Sequence, residues 1–100
     1  MSVTADIVEY LREYHTSENK AIKGREICEL FNLHSKQVRN IVSDLRKDGE
    51  PICSSNYGYW YSKAPEDLDR TIRRMAEQVK NMSLAIDGLQ KAKEATDNEE

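Results

Sequence analysis

The chain has 100 residues, 38% hydrophobic and 33% charged, with 15 Lys and Arg against 18 Asp and Glu for a formal net charge of −3. A chain this short is expected to hold one compact domain plus an appendage, which suffices for a small helical core but not for a deep cleft with a large catalytic constellation. The apolar runs fall far short of the ~18 to 20 residues that cross a bilayer, and Met1-Ser2-Val3-Thr4 leads into a charged helical pattern rather than a signal peptide, so a cytoplasmic protein with no membrane partner is expected.

Val3, Ile7, Val8, Leu11 and Tyr14 recur at three- and four-residue spacing and predict a first helix, with Asp6 and Glu9 near its start where carboxylates suit the helix dipole. Residues 15–20 are polar and aperiodic, a loop. Ile27, Leu30 and Phe31 in "KGREICELF" predict a short second helix whose N-cap position is taken by Lys23 instead of a Ser, Thr or Asp. Asn32 can take the left-handed conformation that closes a helix, Leu33 can plug the core, and Ser35 is the expected N-cap of the next helix.

That third helix, Lys36 to about Lys47, carries a narrow apolar stripe of Val38, Ile41, Val42 and Leu45. Lys36, Arg39, Asn40, Ser43 and Lys47 fall on the opposite side, with Gln37 and Arg46 at the flanks. Asp48-Gly49 ends the helix and Glu50-Pro51 forbids its continuation. The segments "ICSS" and "YWYS" around Asn56-Tyr57-Gly58 then predict a short β-hairpin, with Trp60 on the face opposite Tyr59 and Tyr61 and the best candidate for burial.

Charge is unevenly distributed. Residues 1–64 hold 9 basic and 9 acidic side chains, so the whole net −3 lies beyond them, while residues 20–47 hold seven basic residues against Glu26, Glu29 and Asp44. A phosphate backbone senses such a local field within a Debye length, not the overall isoelectric point.

Two short helices joined by a tight turn, a polar outer face on the second, and a hairpin directly after it make a winged helix-turn-helix. The stretch "FNLHSKQVRNIVSDLRKDGEPICSSNYGYWYS" resembles winged helices of biotin-operon-repressor type, as in small bacterial and phage DNA-binding proteins. Ser35, Val38, Leu45-Arg46, Gly49, Pro51-Ile52, Ser54 and Gly58-Tyr59-Trp60 match that ordered pattern, and the resemblance covers about residues 4–63. It departs from the family in Lys23 and in a long helical tail where an effector or catalytic domain would stand.

The fold expected is therefore mainly α with a small β-hairpin: a winged helix over 1–63, an oligomerisation helix over 64–94 and a disordered acidic tail over 95–100. On duplex DNA, Lys36, Gln37, Arg39, Asn40 and Ser43 would read base edges from the major groove, Arg39 or Lys36 through guanine O6 and N7 and Asn40 or Gln37 through adenine. Lys20, Lys23, Arg25, Ser35, Lys47, Asn56, Tyr57 and Lys63 would meet phosphates or lie at the wing. Arg46 is expected to be packed or salt-bridged near the helix end rather than to read bases, and Asp44, Asp48 and Glu50 must point away. His15 and His34 sit at helix edges as exposed or capping groups.

From Pro65, with Glu66 and Asp67 in the first turn, the chain reads as one long helix. Leu68, Ile72, Met75, Val79, Met82, Ile86 and Leu89 form an unbroken heptad seam, with β-branched residues at a and unbranched or γ-branched residues at d, the pattern of parallel two-stranded coils. Ala76, Ser83, Ala85 and Ala92 beside it offer no interhelical salt bridges, so antiparallel pairing or a four-helix arrangement stays open. A helix of about 28 residues, roughly 42 Å at 1.5 Å per residue, overruns a domain of this size and leaves much of the seam wet without a partner.

No glycine-rich phosphate loop, Ser-His-Asp grouping or metal-ligand spacing is present, and Cys28 and Cys53, without a CxxC pair, read as packing residues. Neither an enzyme, a cofactor, a metal nor a small-molecule ligand is expected. The function predicted is sequence-specific double-stranded DNA binding by a homodimer, as a small transcriptional regulator or a phage or mobile-element protein. The competing reading is a non-enzymatic adaptor that uses winged helix and coil for protein contacts, which the acidic net charge favours.

Overall fold

The computed structural model describes residues 2–97. Helix α1 spans Val3–Tyr14, α2 Gly24–Phe31 and α3 Ser35–Lys47, followed by strands β1, Ile52–Ser55, and β2, Gly58–Tyr61, and by α4, Pro65–Asp97. A single 3-10 turn, Glu18–Lys20, interrupts the segment expected to be plain loop.

Periodicity explains the helices. Ile7, Val8 and Leu11 of α1, Ile27 of α2 and Val38, Val42 and Leu45 of α3 are buried together with Ile22 and Ile52, and Phe31, Leu33 and Ile41 pack against them half-buried. Leu30 departs from expectation: it is exposed, because a helix of eight residues turns only one narrow face to the core and Ile27 occupies it. Asn32 closes α2 in the left-handed conformation, φ 54 and ψ 55. Helix α3 starts one residue earlier than expected, with His34 as N-cap and Ser35 inside the helix. The amide of Gln37 reaches back instead, its Oε1 accepting the His34 N–H at 2.8 Å.

β1 and β2 pair antiparallel, Ile52 opposite Tyr61 and Cys53 opposite Trp60, so the hairpin has two faces of different fate. Ile52, Tyr59 and Tyr61 belong to the helical core. Trp60, buried as expected, and Cys53 turn to the other side, where the Trp60 indole N–H donates to Asp67 Oδ2 at 3.3 Å. Ile22 adds a third, one-residue strand: its N–H and carbonyl both bond Tyr59, at 2.9 and 2.8 Å. This backbone approach requires glycine next door, because a Cβ on Gly58, whose φ is 122°, would lie 2.2 Å from the Ile22 carbonyl oxygen.

The first turns of α4 cover the outer face of the hairpin. Thr71 is buried, and its hydroxyl accepts the Ser54 N–H at 3.3 Å. Asp67 accepts from Ser62 Oγ at 2.7 Å, from Trp60 and from Arg70, which hold its carboxyl below the usual range. Arg70 also reaches Glu18 at 3.3 Å, tying α4 to the 3-10 turn. The domain's interior thus extends past residue 63 to Thr71. The whole of α4 is 33 residues and roughly 50 Å long, and most of it projects beyond Thr71. It stays helical through Asp97, into the stretch expected to be disordered, with Thr96 Oγ1 donating to the Ala92 carbonyl at 3.0 Å; residues 98–100 of that expected tail lie outside the described residues.

Candidate nucleic-acid interface

Helix α3 presents its polar side to solvent because its stripe of Val38, Val42 and Leu45 is turned inward. Lys36, Gln37, Arg39, Asn40, Ser43 and Lys47 are all exposed. Ser35, Arg39, Ser43 and Lys47, each four residues apart, form one row along the helix, and this row flanks the hairpin.

Between the row and the hairpin runs an open groove of about 860 Å³. Its lining gathers Lys23, Arg25, Arg39, Arg46, Lys47 and Arg74 and not one carboxylate. Five of these come from the domain and one from α4. Asp44 and Asp48 are exposed elsewhere on the surface, and Glu50 is turned to the far side, accepting from Tyr61 OH at 3.0 Å and facing Arg12 at 3.8 Å. A broad groove was not expected from the sequence; it exists because α3, the hairpin and α4, distant in sequence, meet there.

Arg46 fixes how the hairpin stands against α3. Its Nε donates to the Ile52 carbonyl at 2.8 Å, its Nη2 to Ser54 Oγ at 3.0 Å, and its guanidinium lies over the Tyr59 ring at 6.0 Å. Burial pushes its pKa down, yet from an ordinary value so high that it stays a cation. The expectation of a packed Arg46 holds.

The tip of the hairpin is anchored as well. Lys23 Nζ donates to the Asn56 carbonyl, so the residue that fails to cap α2 links the start of that helix to the turn. Tyr57 stands out at the tip, 66% exposed, and like Lys20, Lys63, Lys36, Gln37 and Asn40 it does not line the groove. Lys23, Arg25, Ser35, Arg39, Ser43, Lys47 and Asn56 are brought together there. Ser54, Ser55, Arg74 and Gln78 join them, unforeseen: the sequence singles out Ser54 only as part of the wing pattern, and Arg74 and Gln78 lie outside the apolar seam that marks α4.

Residues 1–49 match the family model described as winged helix-turn-helix transcription repressor, HrcA DNA-binding. The domain is a winged helix-turn-helix. The match covers α1 to α3 and stops before the hairpin, which follows α3 in the position of the wing. It supports a DNA-binding, regulatory reading of this domain; it is to the HrcA type, and nothing in it speaks for the biotin-operon-repressor type expected from the motif string. No curated protein and no solved structure matches the chain.

Two further observations bear on chemistry. Among the described residues no group of three or more His, Cys, Asp or Glu side chains is placed to hold a metal ion. Cys53 is buried between hairpin and α4, its thiol pushed up by burial and thus a poor nucleophile, and Cys28 is half-buried at the groove. Among those residues, too, no helix is long and apolar enough to cross a membrane.

Proposed function

We propose that this protein is a homodimeric winged helix that binds double-stranded DNA sequence-specifically and acts as a small transcriptional regulator. The observation that carries this reading is the groove beside α3, lined by six cations and no carboxylate. Such a one-signed lining suits a polyanion, and its place between recognition helix and wing suits a duplex whose major groove receives α3.

Arg39, at the centre of the α3 row, donates to guanine O6 and N7, with Lys36 the alternative donor; Asn40 pairs with adenine and Ser43 contacts a base edge or phosphate. Gln37 reads only through its amide N–H, since its oxygen is engaged at His34. Lys23, Arg25, Ser35 and Lys47 meet phosphates, Asn56 and Tyr57 meet the backbone at the wing, and Lys20 and Lys63 lie further out as peripheral phosphate contacts.

The exposed heptad seam of α4 supports dimerisation. Ile72, Val79, Met82 and Leu89 are 63, 70, 65 and 71% exposed, Met75 and Ile86 are also exposed, and Leu68 alone of the seam is half-buried against its own domain. Fully burying such a side chain contributes about 1.5–3 kcal/mol, so an apolar helix face laid on this seam is favoured, and the seam of a second copy supplies one. Leu84 lies exposed on the opposite side, outside the seam. Two linked heads read two half-sites, and effective concentration multiplies their modest individual affinities.

The same seam would serve an adaptor that binds other proteins. An electrophoretic titration at several salt concentrations separates the two: the DNA reading expects log K to fall linearly and steeply with log salt, and an absence of duplex binding at low salt would replace it with the adaptor reading.

A further inference from the structure

Arg74 is held in an unusual position for a coiled-coil residue. It follows Thr71 by one turn on the face of α4 turned to the domain, and the Thr71 hydroxyl, accepting the Ser54 N–H, fixes that face over β1. Arg74 is half-buried and lines the groove, and no carboxylate pairs with it among the described residues; the ion pairs of α4 belong to its neighbour Arg70. Across the groove Arg46, whose own pKa burial lowers, is lowered further by the charge of Arg74.

Two arginines from different elements therefore line one groove that holds no carboxylate. Partly desolvated like charges repel more strongly than in water, and an anion between them removes that cost. Lys47 and Arg39 point into the same space, and Gln78, one further turn along α4, adds an amide. The groove is open to solvent, which suits a strand of backbone better than a small anion enclosed on all sides.

We propose that α4 is a third DNA-contacting element: Arg74 grips a backbone phosphate of the duplex from the wall opposite Arg39 and Lys47, with Gln78 beside it. The proposal rests on the DNA-binding reading and adds that the tail contacts DNA as well as joining two copies. Met75 both belongs to the heptad seam and lines the groove, so packing of a second helix adjoins the phosphate grip directly.

The test is duplex affinity against salt for the full chain and its variants, with far-UV circular dichroism and light scattering confirming fold and mass. Arg74→Gln is expected to weaken binding at every salt concentration and to reduce the slope of log K against log salt by about 0.9, the value of one phosphate contact. Arg74→Lys should keep the slope, Gln78→Arg should steepen it by a similar amount, and Arg73→Gln, on the solvent side, should leave it nearly unchanged. An unchanged slope for Arg74→Gln, or an equal loss for Arg73→Gln, overturns the proposal; if Arg74→Gln fails to fold, Gln78→Arg decides. Inorganic phosphate alone should show no saturable binding to the DNA-free chain by calorimetry, and saturable binding that Arg74→Gln abolishes would assign the site to a free anion instead. A wild-type chain without salt-dependent duplex binding overturns the DNA reading and this inference with it.

Discussion

Arg46 and Ile52 join α3 to the wing: the guanidinium Nε of the one donates to the carbonyl of the other at 2.8 Å, across the sharp connection through Gly49 and Pro51. Because Nη2 of the same side chain holds Ser54 at 3.0 Å, the wing is fixed to α3 at two points of one planar fork. Replacing Arg46 by Ala is expected to lower stability by about 1.5–3 kcal/mol, the cost of a lost charged hydrogen bond, and Lys should restore little because it lacks the fork. Chemical denaturation of the two variants measures this; equal stability of Arg46→Ala and wild type would show that the wing is held some other way.

Gly58→Ala tests the third strand. The added Cβ meets the Ile22 carbonyl and the backbone φ of 122° is itself strained for alanine, so the thermal midpoint should fall by several degrees, with a loss of at least about 1 kcal/mol. The equivalent change at Gly49, whose φ is also positive but where nothing lies within 4 Å of the new Cβ, should cost less.

Reading and positioning can be separated on α3. Arg39→Ala should reduce discrimination between a selected site and a scrambled one, each lost base contact being worth about 1–3 kcal/mol, whereas Lys47→Ala should weaken both duplexes alike. Equal effects of the two substitutions on both duplexes would remove α3 from the reading role.

Asp67 makes the docking of α4 sensitive to acid. Its carboxyl is held below the ordinary value near 3.8, chiefly by the Ser62 hydroxyl and also by Arg70 and Trp60, so the folded state binds its proton less readily than the unfolded chain. Stability from this group is therefore complete above the unfolded value and is lost as pH falls through the lower folded one. Asp67→Asn should accordingly destabilise the protein at neutral pH, and its deficit relative to wild type should shrink below about pH 4. A deficit independent of pH would mean that Asp67 acts only by shape.

Val79→Asp places a charge in the middle of the seam and should yield a monomer that keeps the winged helix fold. Light scattering reads the mass; a mass equal to that of wild type would mean that this seam is not the interface.

Much of this fold is written locally. Periods of three and four residues mark all four helices, Asn32 and Gly49 mark two of their ends, and Asn56-Tyr57-Gly58 marks the hairpin, because each depends on neighbours in sequence. What was not legible depends on meetings between distant segments. Ser35 is a better capping residue than His34, yet Gln37 satisfies the His34 N–H and moves the start of α3 by one residue. Thr71, polar and beside the seam, carries no sign of burial until the Ser54 N–H is seen to need an acceptor. The candidate site divides in the same way: Arg39, Ser43 and Lys47 follow from the helical wheel, while Arg74 reaches the groove only through that docking of α4 onto β1.

Selection from random double-stranded oligonucleotides with the purified full chain, followed by sequencing of the retained DNA, tests the central claim most directly. The account predicts an enriched motif with two related half-sites whose positions of strongest preference weaken in Arg39→Ala. Retained DNA with no enriched sequence, or none retained at low salt, would contradict it.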